Sequence, residues 1–246
     1  MIIDAHVHIG LWKHPPFYKI SNSLKETIRL YKKWGIGGAV ITRSDALHNE
    51  KLLKIIKRQR DKKFKIWFFP WADSNKDLPF LQKERKFITG IKVHPSLSRK
   101  PITDGSFKKI IEFASSQKLP TLVHSGRWLK VAGYQHILKC ARSWPTVDFI
   151  VAHAGGAGTT LKMELIKEIK RKKFKNVYLE ISGLFEYWII EKGIKLIPVS
   201  KFFFGSDFPT IDPRAQLAVL DYSKISEKDR KAISADNFLK FIKKYE

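Results

Sequence analysis

The sequence predicts an α/β fold, a (β/α)8 TIM barrel with an additional C-terminal helix. Three observations predict it. Apolar, β-rich segments alternate with longer amphipathic ones nearly to the end of the chain, the pairs number eight, and the 246 residues match the roughly 250 typical of that barrel. A doubly wound open sheet is the alternative, because alternation alone does not prove closure. With 43% hydrophobic residues the chain can build one sizeable core, so 1–246 is read as a single domain.

Strands are expected at 2–7 (IIDAHV), 37–42 (GGAVIT), 65–70 (KIWFFP), 88–94 (ITGIKVH), 120–124 (PTLVH), 147–153 (VDFIVAH), 177–182 (VYLEIS) and 201–206 (KFFFGS). Helices are expected near 23–34, 48–60, 76–85, 104–117, 129–142, 159–172, 186–192 and 213–221, with a further one at 227–244. Asp212 followed by Pro213 suits a capped start with proline at the first helical position, where its missing N–H costs nothing. Thr103 or Asp104, and Ser226, are further caps. In the last helix Ile233, Phe238, Leu239, Ile242 and Tyr245 fall near one face and are expected to pack against the barrel.

Lys and Arg number 47 against 23 Asp and Glu, a formal net charge of +24. Such an excess attracts nucleic acid, anionic lipid or acidic metabolites. The basic runs at 54–65, 83–86 and 167–175 lie in or just after expected helices rather than in a detached tail, which favours a solvated surface. The single cysteine, Cys140, excludes an internal disulfide framework and a Cys-rich zinc site, leaving histidine and carboxylate to hold any metal. No signal-like N-terminal run and no apolar stretch near the roughly 20 residues that span a bilayer is seen, so the expectation is a cytoplasmic protein without a membrane partner.

Five of the eight histidines stand at expected strand ends: His6, His8, His94, His124 and His153. Barrel active sites are assembled from the residues and loops that follow different strands, so this placement is informative where any one histidine is not. His6 and His8 share a face under the period of two, as do Lys92 and His94. Asp207 ends the apolar run KFFFGSD. Neutral imidazoles with a carboxylate make a borderline site suited to zinc, manganese, iron or cobalt.

The segments DAHVH (4–8), GIKVHP (90–95), LPTLVHSG (119–126), VAHAGG (151–156) and FFGSDFP (203–209) resemble successive strand-end motifs of the amidohydrolase superfamily. The closest likeness is to its amidohydrolase-related, ACMSD-like branch of metal-dependent hydrolases and nonoxidative decarboxylases. The closing EKDRKAISADNFLKF is also similar to the usual last segment of that family. The resemblance implies that His6, His8 and His124 bind one divalent metal, with Asp207 as ligand or as the group that moves a water proton. It implies that His153 orients or polarises the attacked group, or binds a second metal. Some members carry a carboxylated lysine bridging two metals on the fourth strand, where this chain has Lys92. A mononuclear site with Lys92 and His94 shaping the pocket is preferred over a binuclear one.

Other residues near the strand ends are candidates for substrate contact. Arg43 and Arg127 can bind a carboxylate or phosphate through the planar guanidinium fork. Trp12, Trp71 and Trp128 can enclose a small ring, or simply pack beneath loops. His14 lies in the first loop, His48 and His136 are expected at surface or packing positions, and Ser182 is expected in a backbone turn. The glycines of HAGGAG lack the spacing and context of a nucleotide fingerprint, so no nucleotide cofactor is assigned.

The expected function is metal-dependent hydrolysis of a small ester, lactone or amide, with or without a carboxylate, with zinc the first choice of metal. Nonoxidative decarboxylation is the main alternative. A nuclease is encouraged by the charge, but TatD-like nucleases typically carry glutamate where this chain has GIKVHP. A noncatalytic binding protein is the remaining class. The expected partner is a small, anionic-compatible molecule. Nucleic acid is disfavoured, and homo-oligomerisation is left open.

Overall fold

The computed structural model describes residues 1–14, 20–156 and 158–246. The segment 15–19 of the first loop and residue 157 of the HAGGAG run lie outside the described residues.

The chain forms an α/β fold with parallel sheets covered by helices. Strands β1 (Ile2–Leu11), β2 (Ser21–Asn22), β3 (Ile36–Arg43) and β4 (Lys65–Phe68) make a sheet of order β2-β1-β3-β4. Strands β5 (Trp71–Ala72), β6 (Ile91–Val93), β7 (Thr121–Val123), β8 (Phe149–Val151), β9 (Val177–Glu180) and β10 (Phe202–Phe203) follow one another across a second. Among the described residues the strand pairings are parallel except β1 with β2, a short antiparallel ribbon that the sequence reading did not anticipate. Among the described residues no helix is long and apolar enough to cross a membrane.

The expected third strand, 65–70, ends at Phe68, and past Pro70 the chain enters the second sheet as Trp71–Ala72, a short strand the sequence reading did not anticipate. β4 pairs with β3 and β5 pairs with β6, and Pro70 stands between β4 and β5. Proline has no N–H to give a ladder, so a break there follows from its chemistry. Its carbonyl still accepts from Lys92 N at 2.9 Å, while Phe69 N donates to Ile41 O at 3.0 Å. On the other side, Ala5 N donates to Phe204 O and Asp207 N to His6 O, both at 2.9 Å, and His8 N to Phe208 O at 2.8 Å. Backbone hydrogen bonds therefore cross both seams between the sheets.

Several expected strands are shorter than predicted. In particular, the expected 147–153 ends at Val151 and gives way to a 3-10 turn over Ala152–Gly155. The caps fall as predicted at Asp212, whose carboxylate accepts from Arg214 N at 2.9 Å, and at Ser226, which accepts from Asp229 N at 3.1 Å. The expected fifth helix is two pieces, Leu129–Ala132 and Tyr134–Ser143, separated by Gly133 in extended conformation.

Two apolar layers result. Val7, Ile41, Val93, Val123 and Val151 pack outward against helix residues such as Ile28, Leu52, Ile110, Ile137 and Ile166. Ile3, Ala5, Val40, Trp67, Phe69, Leu122, Ile150 and Phe203 form a separate inner cluster. The C-terminal segment completes that inner layer: Ala235, Phe238, Phe241 and Ile242 are buried in it. The expected packing of the last helix thus takes the form of a plug on the inner cluster, with a π-helical turn at Ala232–Asp236 preceding Asn237–Ile242.

Candidate metal centre

The site begins with a register shift. Alternation along β1 places Ile3 and Ala5 in the inner cluster, yet Val7 lies in the outer one. The pairing with β3 slips between Asp4 and Val7, and a one-residue slip exchanges the faces of a strand. After it, His6 and His8 share a face, with Nε2 atoms 3.1 Å apart. Asp4 holds the turn of the chain below them, accepting from His6 N and Ser206 N at 3.0 Å and from Tyr31 Oη at 2.8 Å.

On β6, Lys92 is in register with Leu122 and, through it, Ile150, both inner residues. Its side chain is fully buried and its Nζ reaches 2.7 Å from His6 Nε2. His94, two residues on, stacks on His124 with ring centroids 3.9 Å apart and on Trp71 at 5.0 Å, so three nearly parallel rings form one column beside the site. His153 and Asp207 arrive by a different route. Their φ angles are +59° and +60°, left-handed conformations that cost a non-glycine residue of order 1–3 kcal/mol. The turns bring His153 Nε2 to 3.0 Å from His124 Nδ1, and Asp207 Oδ1 to 3.4 Å from His6 Nε2 and 3.3 Å from His8 Nε2.

Sequence reasoning missed Glu180 and undervalued Ser182. Glu180 is fully buried, with Oε2 2.9 Å from His6 Nδ1 and 2.8 Å from Ser182 Oγ. Ser182 is more than a turn residue: its Oγ also lies 2.9 Å from His153 Nδ1. The available signal was the lone acid in VYLEIS, since an unpaired carboxylate is rarely placed in a buried strand.

Burial drives His6, His94 and His124 well below the usual imidazole range, with Lys92 adding to the effect on His6 and His94 on that of His124. Burial also takes His153 down to about 4, against the pull of Asp207. The rings are therefore neutral near pH 7, the form in which imidazole ligates metal. Burial pushes Asp207 up, but its interactions with His8, His153 and Lys92 outweigh that and keep it below the usual carboxylate range. Burial lowers Lys92 and raises Glu180, and the charges of Asp207 and Glu180 pull Lys92 back up.

These groups open on a cavity of about 660 Å³. His94, His124, His153 and Asp207 line it, as do Trp12, Trp71, Arg43, Arg127 and Trp128 from the predicted set and His14 from the first loop. Arg43 is partly committed: it binds Asp73 Oδ2 at 2.9 Å, covers the Trp71 ring at 4.7 Å, and its carbonyl oxygen lies 2.7 Å from His8 Nδ1. Trp12 packs against His8 at 4.7 Å, whereas Arg127 and Trp128 are exposed at the mouth. His48 occupies the N-cap position of the helix Asn49–Lys57 without a side-chain cap bond, and His136 is half-buried with Nε2 3.0 Å from Lys130 O; neither lines the cavity.

The donor set fits a divalent ion. The Nε2 atoms of His6 and His8 and Asp207 Oδ1 form a triangle with sides of 3.1, 3.3 and 3.4 Å. Bonds of about 2.0–2.1 Å to a tetrahedral ion give edges of about 3.3–3.4 Å. His6, His153 and Asp207 also offer ligand atoms within 4.8 Å of one another. His124 Nε2 is buried with no hydrogen-bond partner among the described residues.

A model of the Amidohydrolase family matches residues 3–242. The chain belongs to the amidohydrolase family. The chain shares its fold with a dihydroxybenzoic acid decarboxylase from Polaromonas sp. JS666 carrying manganese and 2-nitroresorcinol, at TM-score 0.74 and 16% identity over 98% of this chain and 96% of the other. An amidohydrolase from Burkholderia multivorans with bound zinc aligns at TM-score 0.75 and 12% identity over 99% of each chain. A probable 2-pyrone-4,6-dicarboxylic acid hydrolase from Acinetobacter baumannii aligns at 0.72 and 12%, covering 98% and 99% of the two chains. A search of curated proteins found no match.

Proposed function

We propose that this amidohydrolase is a metal-dependent hydrolase of a small ester, lactone or amide bearing a carboxylate, built as one closed (β/α)8 domain whose two seams are the backbone bonds described above. The observation that carries the proposal is the position of Asp207, a carboxylate kept ionised beside His6 and His8 at the floor of an open cavity. One divalent ion, zinc first and manganese, iron or cobalt otherwise, held by His6, His8, His124 and Asp207, would supply Lewis-acid polarisation and a water acidic near neutral pH.

The side chains supply the rest. Asp207 accepts the proton of the attacking water and returns it to the leaving group. His153 orients the attacked group, and Arg127, with the less available Arg43, attracts the substrate carboxylate. Lys92 and His94 shape the pocket from below and from the side.

Decarboxylation of an aromatic acid is the second reading, favoured by the aromatic lining of the cavity, Trp12, Trp71 and Trp128, with which a planar ring can pack. Structural neighbours of both kinds, a decarboxylase and a pyrone dicarboxylate hydrolase, keep the two readings side by side. Zinc- and manganese-reconstituted protein assayed on lactones, esters and amides tests the proposal. Failure on all three bond classes, with carbon dioxide released from an aromatic acid, would move the assignment to lyase.

A further inference from the structure

The hydrogen bonds around Glu180 have a direction. In its ionised form, which burial opposes and the neighbouring charge of Lys92 favours, the Glu180 side chain only accepts. Ser182 N and Ser182 Oγ, the latter 2.8 Å from Oε2, both turn to Glu180. Gly205 leaves room for this carboxylate, because a Cβ there would overlap it. With its proton spent on Glu180, the Ser182 hydroxyl presents a lone pair to His153 Nδ1 at 2.9 Å, and the Ser182 carbonyl faces the same nitrogen at 3.3 Å. His153 Nδ1 therefore carries hydrogen and Nε2 does not. That bare Nε2 accepts from His124 Nδ1 at 3.0 Å, which leaves the buried, unpartnered His124 Nε2 as a lone pair. On the other branch Glu180 Oε2 accepts from His6 Nδ1 at 2.9 Å, leaving His6 Nε2 bare toward Lys92 Nζ, which has protons to give, at 2.7 Å.

The geometry points to Glu180 and Ser182 as positioning residues that set the tautomers of His6, His153 and His124 together, leaving the lone pairs of His6 Nε2 and His124 Nε2 free to hold a metal. The assignment rests on the reading of those two histidines as ligands. His8 lies outside the relay, since its Nδ1 is fixed separately by the Arg43 carbonyl at 2.7 Å. It serves as the internal control.

Ring-nitrogen NMR of full-length, histidine-15N-labelled protein, before and after zinc loading, tests the relay. In wild type before zinc, His6, His124 and His153 are expected with hydrogen on Nδ1 and none on Nε2. In Glu180→Gln the amide nitrogen takes the Oε2 place, because Ser182 N needs an acceptor at the other. It then donates to His6 Nδ1, moves that ring's proton to Nε2, and leaves His153 and His124 as tautomer mixtures. Ser182→Ala, which removes one hydroxyl and keeps folding within reach if Glu180→Gln does not, is expected to mix His153 and His124 and leave His6 unchanged. The Nδ1 proton of His8 stays in both. Zinc affinity, measured by chelator competition, is expected to fall about 10–100-fold in Glu180→Gln. Hydrogen on His6 Nε2 in wild type, or unaltered His6, His153 and His124 in a folded Glu180→Gln protein, overturns the proposal. Correct tautomers in a protein that binds no zinc would instead sink the metal reading and leave the relay standing.

Discussion

Asp207 Oδ1 stands almost equidistant from two imidazole nitrogens, 3.3 Å from His8 Nε2 and 3.4 Å from His6 Nε2. Asp207→Asn keeps the shape and removes the basic oxygen. Its kcat is expected to fall about 10²–10⁴-fold with KM little changed, the size of a lost general acid–base. Steady-state kinetics at matched metal content would check this, and unchanged kcat would remove Asp207 from proton transfer.

Removing a nitrogen from the triangle has a different signature. His6→Ala or His8→Ala is expected to lower metal affinity by more than the about 10–100-fold of an outer hydrogen-bonding partner. Elemental analysis after dialysis should then show substoichiometric metal where wild type retains one ion.

Arg127 is exposed at the cavity mouth, and Arg43 is tied to Asp73. Arg127→Ala is therefore expected to raise KM about 10-fold for a carboxylate-bearing substrate, the loss of one charge-assisted hydrogen bond of about 1.5 kcal/mol. The neutral methyl ester of the same compound should show no change.

Burial pushes the Cys140 thiol up from 9.0 to about 12. A raised thiol value means the folded state favours the neutral form. Its stabilising contribution is present below pH 9 and is lost as pH rises through 12. At pH 8 the thiolate is depleted about 10³-fold relative to the unfolded chain, so iodoacetamide should label Cys140 rapidly only in denaturant. Comparable rates in native buffer would contradict this burial.

Phe238 closes the inner cluster, with its ring 5.2 Å from Trp67 and 5.6 Å from Phe203. Phe238→Ala is expected to cost about 3–5 kcal/mol. A lower urea midpoint with an unchanged m-value would show the loss to be one of packing.

Much of the site could be read from the sequence, because a histidine or aspartate ending an apolar run is visible locally. His6, His8, His124, His153 and Asp207 were found that way, and Lys92 from the period of two along GIKVHP. Asp212 and Ser226 were likewise legible as caps, since a cap and its helix are adjacent in the chain. The slip in β1, the extra short strand Trp71–Ala72 after Pro70 and the left-handed turns at His153 and Asp207 were not. Those depend on which backbone groups the neighbouring strands offer.

By itself the sequence determined the α/β alternation, the inward histidines and the absence of cysteine ligands. Only the tertiary structure decided that Arg43 answers to Asp73, that the last helix plugs the inner cluster, and that Glu180 reaches His6 across 174 positions of sequence. The physical reason is that hydrogen-bond direction belongs to pairs of atoms. Residue types foretell which atoms can donate or accept, and only folding determines which of them meet.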